Sequence, residues 1–180
     1  MVASALTNFS SLLSDYLKMA FKLNEDIVSL RPLSGNTEKS PDNKVHIFLT
    51  NVERETSAGI SFNRKNIPGG NFGKTSPAWQ LNLYILIACV FGEKQYEESL
   101  YFLSAITSFL QSNNSFPVPQ TDGGICIDPV NLSFSELSNL WSIHGNQYYP
   151  SVLCRLRTVI IDENEIKHIG RVISEKDVTI

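Results

Sequence analysis

The chain has 180 residues, a formal net charge of −3, 42% hydrophobic residues and 18% charged ones. That length predicts one domain, large enough to bury a core without disulfide or metal staples. A slightly acidic chain whose nearest approach to a basic cluster is Arg155 and Arg157 excludes nucleic acid as a main partner, because neutralising phosphates takes a basic face. Charge below the usual ~25% fits surface covered by partners, and equally a neutral surface rich in Ser and Asn.

The first 23 residues read as an amphipathic helix. Leu6, Phe9, Leu13, Tyr16, Ala20 and Leu23 recur at three- and four-residue steps, and Leu12 and Met19 widen the stripe. No basic stretch followed by an apolar run marks a signal peptide. A short strand is expected from Ile27 to Leu33, then a polar turn at Pro41-Asp42-Asn43. Lys44 to Glu53 alternates, with Val45, Ile47 and Leu49 opposite His46, Phe48 and Thr50, which predicts a strand with one buried face.

From Arg54 to Pro77 no periodicity survives. Gly59, Pro68-Gly69-Gly70, Gly73 and Pro77 punctuate a long loop, and such loops are either functional or disordered. Trp79 to Phe91 is apolar on both faces, as in a central strand covered on both sides. Its apolar core, Leu81 to Phe91, is far shorter than the ~20 residues that span a bilayer. Tyr96 to Gln111 predicts a helix with Tyr96, Leu100, Leu103, Ile106 and Leu110 along one stripe, flanked by Phe102 and Phe109. Gly123-Gly124 opens a short strand or turn through Ile127. Ser133-Phe134-Ser135-Glu136 is a capping box, and the helix it starts sends Leu137, Leu140, Trp141 and Ile143 to the core. Ser151 to Asp162 is a long strand. Val152, Cys154, Leu156, Thr158 and Ile160 lie on one face, and Leu153, Arg155, Arg157, Val159 and Ile161 on the other. The last 18 residues show no clear period and read as an edge strand or a loose arm.

This order predicts an α/β (α+β) fold, a mixed central sheet flanked by helices, and argues against a doubly wound nucleotide fold. The expected organisation is one domain over 1–162 with the 54–77 loop, followed by a tail or edge strand over 163–180.

Motifs for chemistry are missing. Cys89, Cys126 and Cys154 have neither disulfide nor zinc spacing, and Cys89 and Cys154 lie in apolar runs, as core residues of a reducing compartment do. His46, His144 and His168 fall on a predicted strand surface, a helix end and the tail. Cys126, in GGICID, has no partner histidine signature beside it. The stretch Pro68 to Thr75 fails as a phosphate loop, because proline stands where the first glycine belongs and no helix follows. Asp122, Asp128, Asp162, Glu163 and Glu165 do not have calcium-loop spacing. No catalytic residue, cofactor or metal is assigned.

The opening helix VASALTNFSSLLSDYL, the strand VHIFLTNVERE with its Gly/Pro loop, PAWQLNLYILIACVF, YEESLYFLSAITSFLQSNNSF and LSFSELSNLWSIHGNQYYPSVLCRLRTVIID together span residues 2–162. They resemble the cap, or tail-terminator, family of extracellular contractile injection systems, most specifically in WQLNLY and LWSIHGNQYYPSVLCRLR. The resemblance implies a non-enzymatic subunit made in the cytoplasm. It would form a hexameric ring at the distal end of the particle, stop polymerisation and tie sheath to inner tube, without membrane insertion. Another tail component, such as a tube-completion or adaptor protein, is the alternative, and an unrecognised cytosolic enzyme a more distant one. The residues expected to meet neighbours are Arg54, Phe62, Arg64, Lys65, Phe72 and Lys74 of the loop and Arg155 and Arg157 of the long strand. An exposed sheet edge, at 151–162 or in the tail from Glu165 to Ile173, would accept a sheath strand.

Overall fold

The computed structural model describes residues 2–32, 41–55, 64–67, 71–75, 79–117, 124–144, 147–161 and 166–171. In chain order the elements are α1 (Val2–Phe21), β1 (Val28–Leu30), β2 (Lys44–Arg54), β3 (Arg64–Ile67), β4 (Asn71–Thr75), β5 (Trp79–Val90), α2 (Tyr96–Ser112), β6 (Ser115–Pro117), β7 (Gly124–Pro129), α3 (Phe134–Ile143), β8 (Ser151–Ile161) and β9 (Ile166–Arg171). The architecture is mixed α+β, as the sequence predicts. Six strands form a sheet in the order β1-β2-β5-β8-β7-β6, and β3-β4-β9 form a second sheet. Parallel pairing of β1 with β2 and antiparallel pairing of β7 with β6 and β8 make the large sheet mixed.

The described chain divides into two compact units. Met1–Glu53 with Leu81–Val159 form the larger, and Arg54–Gln80 with Ile160–Ile180 the smaller.

In the larger unit β5 is the axis. Leu81, Leu83, Ile85, Ile87 and Cys89 enter one core with Phe9, Leu13 and Leu17 of α1 and Phe102, Ile106 and Phe109 of α2. Leu86, Ala88 and Val90 point the other way, against Trp141 of α3 and Phe48 of β2. Period-two alternation therefore delivers apolar residues to both faces, the expected signature of a covered central strand. β8 follows the predicted alternation, sending Val152, Cys154 and Leu156 to the first core and Leu153 to the second.

Some expected details fall differently. The buried row of α1 is Ala5, Phe9, Leu13 and Leu17, while Leu12, Met19 and Ala20 are exposed. The helix also offers steps of three, but docking selects the row of four-residue steps. It ends at Lys22, whose φ of 54° lets the Leu23 amide donate to the Lys18 carbonyl at 3.0 Å. On α2 the buried row is Ser99, Phe102, Ile106, Phe109 and Leu110, with Tyr96 and Leu100 exposed. The two phenylalanines anchor it, Phe102 on Phe21 and Phe91, Phe109 on Phe9 and Tyr16. Ile143, expected in the core, is 79% exposed. β2 is buried on both faces at its start, where Val45, His46, Ile47 and Phe48 are all covered and Leu49 is exposed.

The capping box forms as predicted. Ser133 Oγ accepts from the Glu136 amide, and the Glu136 carboxylate accepts from the Ser133 amide at 2.8 Å. The Ser133 amide, and the Ser133 hydroxyl that donates to the same carboxylate oxygen at 2.7 Å, hold the Glu136 carboxyl below its ordinary range. Ser133→Ala is expected to lower stability by about 0.5–2 kcal/mol in urea unfolding. A change inside the error of wild type would show that packing alone starts α3.

Candidate interaction surface

Two strands, β3 and β4, lie within 54–77, where the sequence predicts no regular element, and β9 pairs with β4 as an edge strand of the small sheet. Backbone pairing replaces apolar alternation as the organising force in this sheet. Its register sets Arg64 opposite Lys74 and Lys74 opposite His168. Lys65 stands opposite Gly73, and Phe72 opposite both Asn66 and Gly170. Four of the expected contact residues, Arg64, Lys65, Phe72 and Lys74, thus belong to one three-stranded sheet. Phe62 lies outside the described residues.

Arg54, at the end of β2, sets its guanidinium 4.9 Å from the centre of the Trp79 ring. Trp79 is half exposed, and the adjoining Glu55 amide donates to the Gln80 carbonyl at 2.8 Å. A cation over an indole face is held by the ring quadrupole, worth ~0.5–1 kcal/mol at an exposed site. Arg54 is among the expected contact residues and Trp79 is not; a Trp 25 residues from an Arg carries no local sign of the pair.

Arg155 and Arg157 lie apart from the small sheet, on β8. Arg157 Nη2 sits 2.6 Å from Asp128 Oδ2, an ion pair at short distance whose alignment is not that of a hydrogen bond. Arg155 Nε is buried and has no hydrogen-bond partner. The expectation that 151–162 might be a free edge is corrected: β8 lies between β5 and β7. The edges of the large sheet are β1 and β6, both three residues long, the short-edge device that limits unwanted pairing.

The second face of the large sheet carries an uncharged aromatic groove. Phe134, Leu137, Ser138, Trp141, Ser142 and Tyr148 line about 280 Å³. Phe134 is almost fully exposed, while Trp141 is buried edge-on against Tyr148 at 5.5 Å.

The titratable groups of the larger unit show structural roles. Burial pushes the thiols of Cys89 and Cys154 up to about 12, so both remain protonated and weakly reactive. His46, expected on a strand surface, is buried. Its Nε2 meets Asp42 Oδ1 at 2.8 Å, Arg31 holds the other Asp42 oxygen at 3.1 Å, and Nδ1 has no partner. Burial lowers its pKa, and the opposing pull of Asp42 does not overcome that. The neutral ring satisfies this geometry, since protonation would leave an N–H buried without an acceptor. Burial also lowers the pKa of His144, which packs edge-on against Phe48.

A folded-state pKa below the ordinary 6.5 means the unfolded chain takes up protons first on acidification. Stability contributed by a neutral His46 is therefore present above pH 6.5 and lost as pH falls from there toward the folded-state value. His46→Gln combined with His144→Gln is expected to flatten that part of the stability-versus-pH curve. An unchanged slope would assign it to other groups.

Among the described residues no set of three or more His, Cys, Asp or Glu could hold a metal, and no helix is long and apolar enough to cross a membrane. Of the residues the sequence pointed to, Arg64, Lys65, Phe72 and Lys74 share the small sheet, Arg54 pairs with Trp79, and Arg155 and Arg157 lie apart on β8.

The fold is that of contractile-tail terminators. It superposes on the sheath/tube terminator of PVC, an extracellular contractile injection system, in its extended state, with a TM-score of 0.70 and 16% identity. The match covers 100% of this chain and 63% of that one. It also superposes on the tube-terminating cap of the anti-feeding prophage, with a TM-score of 0.59, 14% identity, and 97% and 60% of the two chains covered. The chain therefore spans less than two thirds of the length of either structure. No curated protein matches its sequence. The model of the Pvc16 N-terminal domain family matches residues 7–175, and the chain belongs to that family.

Proposed function

We propose that this chain is the cap, or tail terminator, of a contractile injection particle. It closes the distal end of the inner tube and sheath, stops their polymerisation and couples one to the other, as a structural subunit that performs no catalysis. The observation that carries the reading is membership of the Pvc16 N-terminal domain family over residues 7–175. A fold that follows a sheath/tube terminator along this whole chain supports it.

In this reading six copies form a ring whose contacts are to one another, to the last sheath ring and to the tube. Residues 1–162 form the terminator body, and 163–180 the arm. Contacts are made by Arg54, Phe62, Arg64, Lys65, Phe72 and Lys74, with Arg155 and Arg157 on the body. β9 lies at an edge of the small sheet, where an incoming sheath strand would gain main-chain hydrogen bonds. Truncation after Asp162 is then expected to abolish sheath attachment, and unchanged attachment would remove the arm from this role.

The test of the function is assembly of tube and sheath with and without this chain. Particles assembled without it should vary widely in length and shed their sheath. Adding the chain should restore closed, uniform ends. Uniform, stable particles in its absence would refute the reading.

A further inference from the structure

The two edges of the large sheet are not alike. At β6 the Asn114 carbonyl accepts from the Ile127 amide on the β7 side, so by the period of two Ser115 and Pro117 turn their backbone groups outward. Proline has no amide to offer, and the Pro117 carbonyl already accepts from Asn8 Nδ2 of α1. At β1 the Ile27 carbonyl accepts from the Val45 amide at 2.8 Å, and the Arg31 amide donates to the Ile47 carbonyl at 3.2 Å. Ile27 and Arg31 thus face β2, while Val28 and Leu30 turn their amides and carbonyls to the side where no described strand pairs. That side opens into a groove of about 280 Å³, with Val28 and Leu30 on one wall and Thr7, Ser10, Ser14 and Asp15 of α1 on the other. A three-residue edge alone limits pairing. Walled by a helix, it becomes a seat for one extended segment, held main chain to main chain.

We propose that this seat takes residues 172–180 of a neighbouring copy, VISEKDVTI. Five of these nine residues are β-branched and none is Gly or Pro, a composition suited to a strand. Extended, nine residues reach about 30 Å, ample for the edge of β1. Charge fits in one phase of the added strand. Val28 enters the core under α1, and Leu30, two residues on, shares its face. Asp15 on that side is exposed and takes part in none of the described ion pairs. Arg31 lies on the opposite face, half exposed. With Lys176 toward Asp15, alternation sets Glu175 and Asp177 on the face of Arg31. The other phase would bring two carboxylates to Asp15. The blocked edge at Pro117 rules out β6 of the next copy as the occupant. A tail that docks on an unlike surface makes a heterologous contact, which closes into a ring when the rotation allows. This inference rests on the cap reading above and adds the seat and the segment that join the copies.

The test counts copies of the full chain per particle end on tube–sheath particles by single-molecule photobleaching. Melting curves confirm that each variant is folded. Truncation after Arg171 should weaken filling at least ~10-fold, a loss of about 1.4 kcal/mol. Leu30→Pro, which deletes an outward amide and no bond to β2, should do the same, while Leu30→Ala keeps that amide and should fill ends like wild type. Lys176→Glu should weaken filling, and adding Asp15→Lys should restore much of it. Hydrogen exchange at Leu30 should be fast in the free chain and slow at the particle end.

Filling unchanged by both the truncation and Leu30→Pro overturns the contact while leaving the cap reading intact. Loss with Leu30→Pro but not with the truncation overturns the occupant, and points to a strand from sheath or tube. Protection of the Leu30 amide in the free chain at every concentration also overturns it, because the chain's own tail would then fill the seat. If wild type itself never occupies an end, the cap reading falls and the contact with it.

Discussion

Phe9→Ala is expected to destabilise the larger unit by about 3–5 kcal/mol, the cost of emptying a fully buried aromatic site. Phe9 is completely buried, and its ring meets Phe109 at 6.2 Å and Phe116 at 5.6 Å. It therefore ties α1 to α2 and to the edge strand β6, two neighbouring elements far from α1 in sequence. Aromatic pairs contribute ~0.5–1.5 kcal/mol beyond the area they bury, and the truncation loses two of them. Phe9→Leu keeps most of the volume and should cost clearly less. Urea unfolding of the three proteins measures both differences. A loss below about 1 kcal/mol for the alanine variant would mean that the site collapses around the gap and that α1 is not a structural keystone.

The second large effect belongs to the opposite face of the sheet. Trp141 is the buried residue of α3, packed with Phe48, Leu86, Ala88 and Val90, and its ring lies edge-on to Tyr148 and Tyr149. Trp141→Ala should cost about 3–5 kcal/mol and loosen α3 from the sheet. The contrast with Trp141→Phe is more telling. Indole Nε1 is buried without a hydrogen-bond partner, so phenylalanine removes an unsatisfied donor together with some volume. The phenylalanine variant is expected to lose under about 1.5 kcal/mol. Equal losses for the two variants would show that the N–H is answered in solution, by water for example, and that its hydrogen bond matters.

Which features could be read in the sequence follows from their range. The axis strand β5 was legible because 12 residues alternate between two covered faces, and α3 because its capping box is local. The facing of α1 was only half legible. Its composition supports rows at three- and four-residue steps, and the choice of Leu17 over Ala20 and Met19 is made by what α1 docks against. His46 was misplaced for a similar reason, since the face it shares with Phe48 is covered by residues distant in sequence, Phe48 packing with Trp141 and Tyr149.

The small sheet was the hardest element. RKNI, NFGKT and IKHIGR carry no alternating apolar pattern, and β9 finds its partner β4 some 90 residues earlier in the chain. Charge made its residues candidates, but the row Arg64–Lys74–His168 exists only in the pairing register. Likewise the ion pair of Arg157 with Asp128 crosses from β8 to β7, a partner that spacing along β8 does not reveal.

The most direct test of the cap assignment is electron microscopy of tube–sheath particles carrying this chain with a gold-labelled tag. Label is expected at one end of each particle only, on both tube and sheath. Label spread along the particle, found at both ends, or absent would contradict the cap assignment.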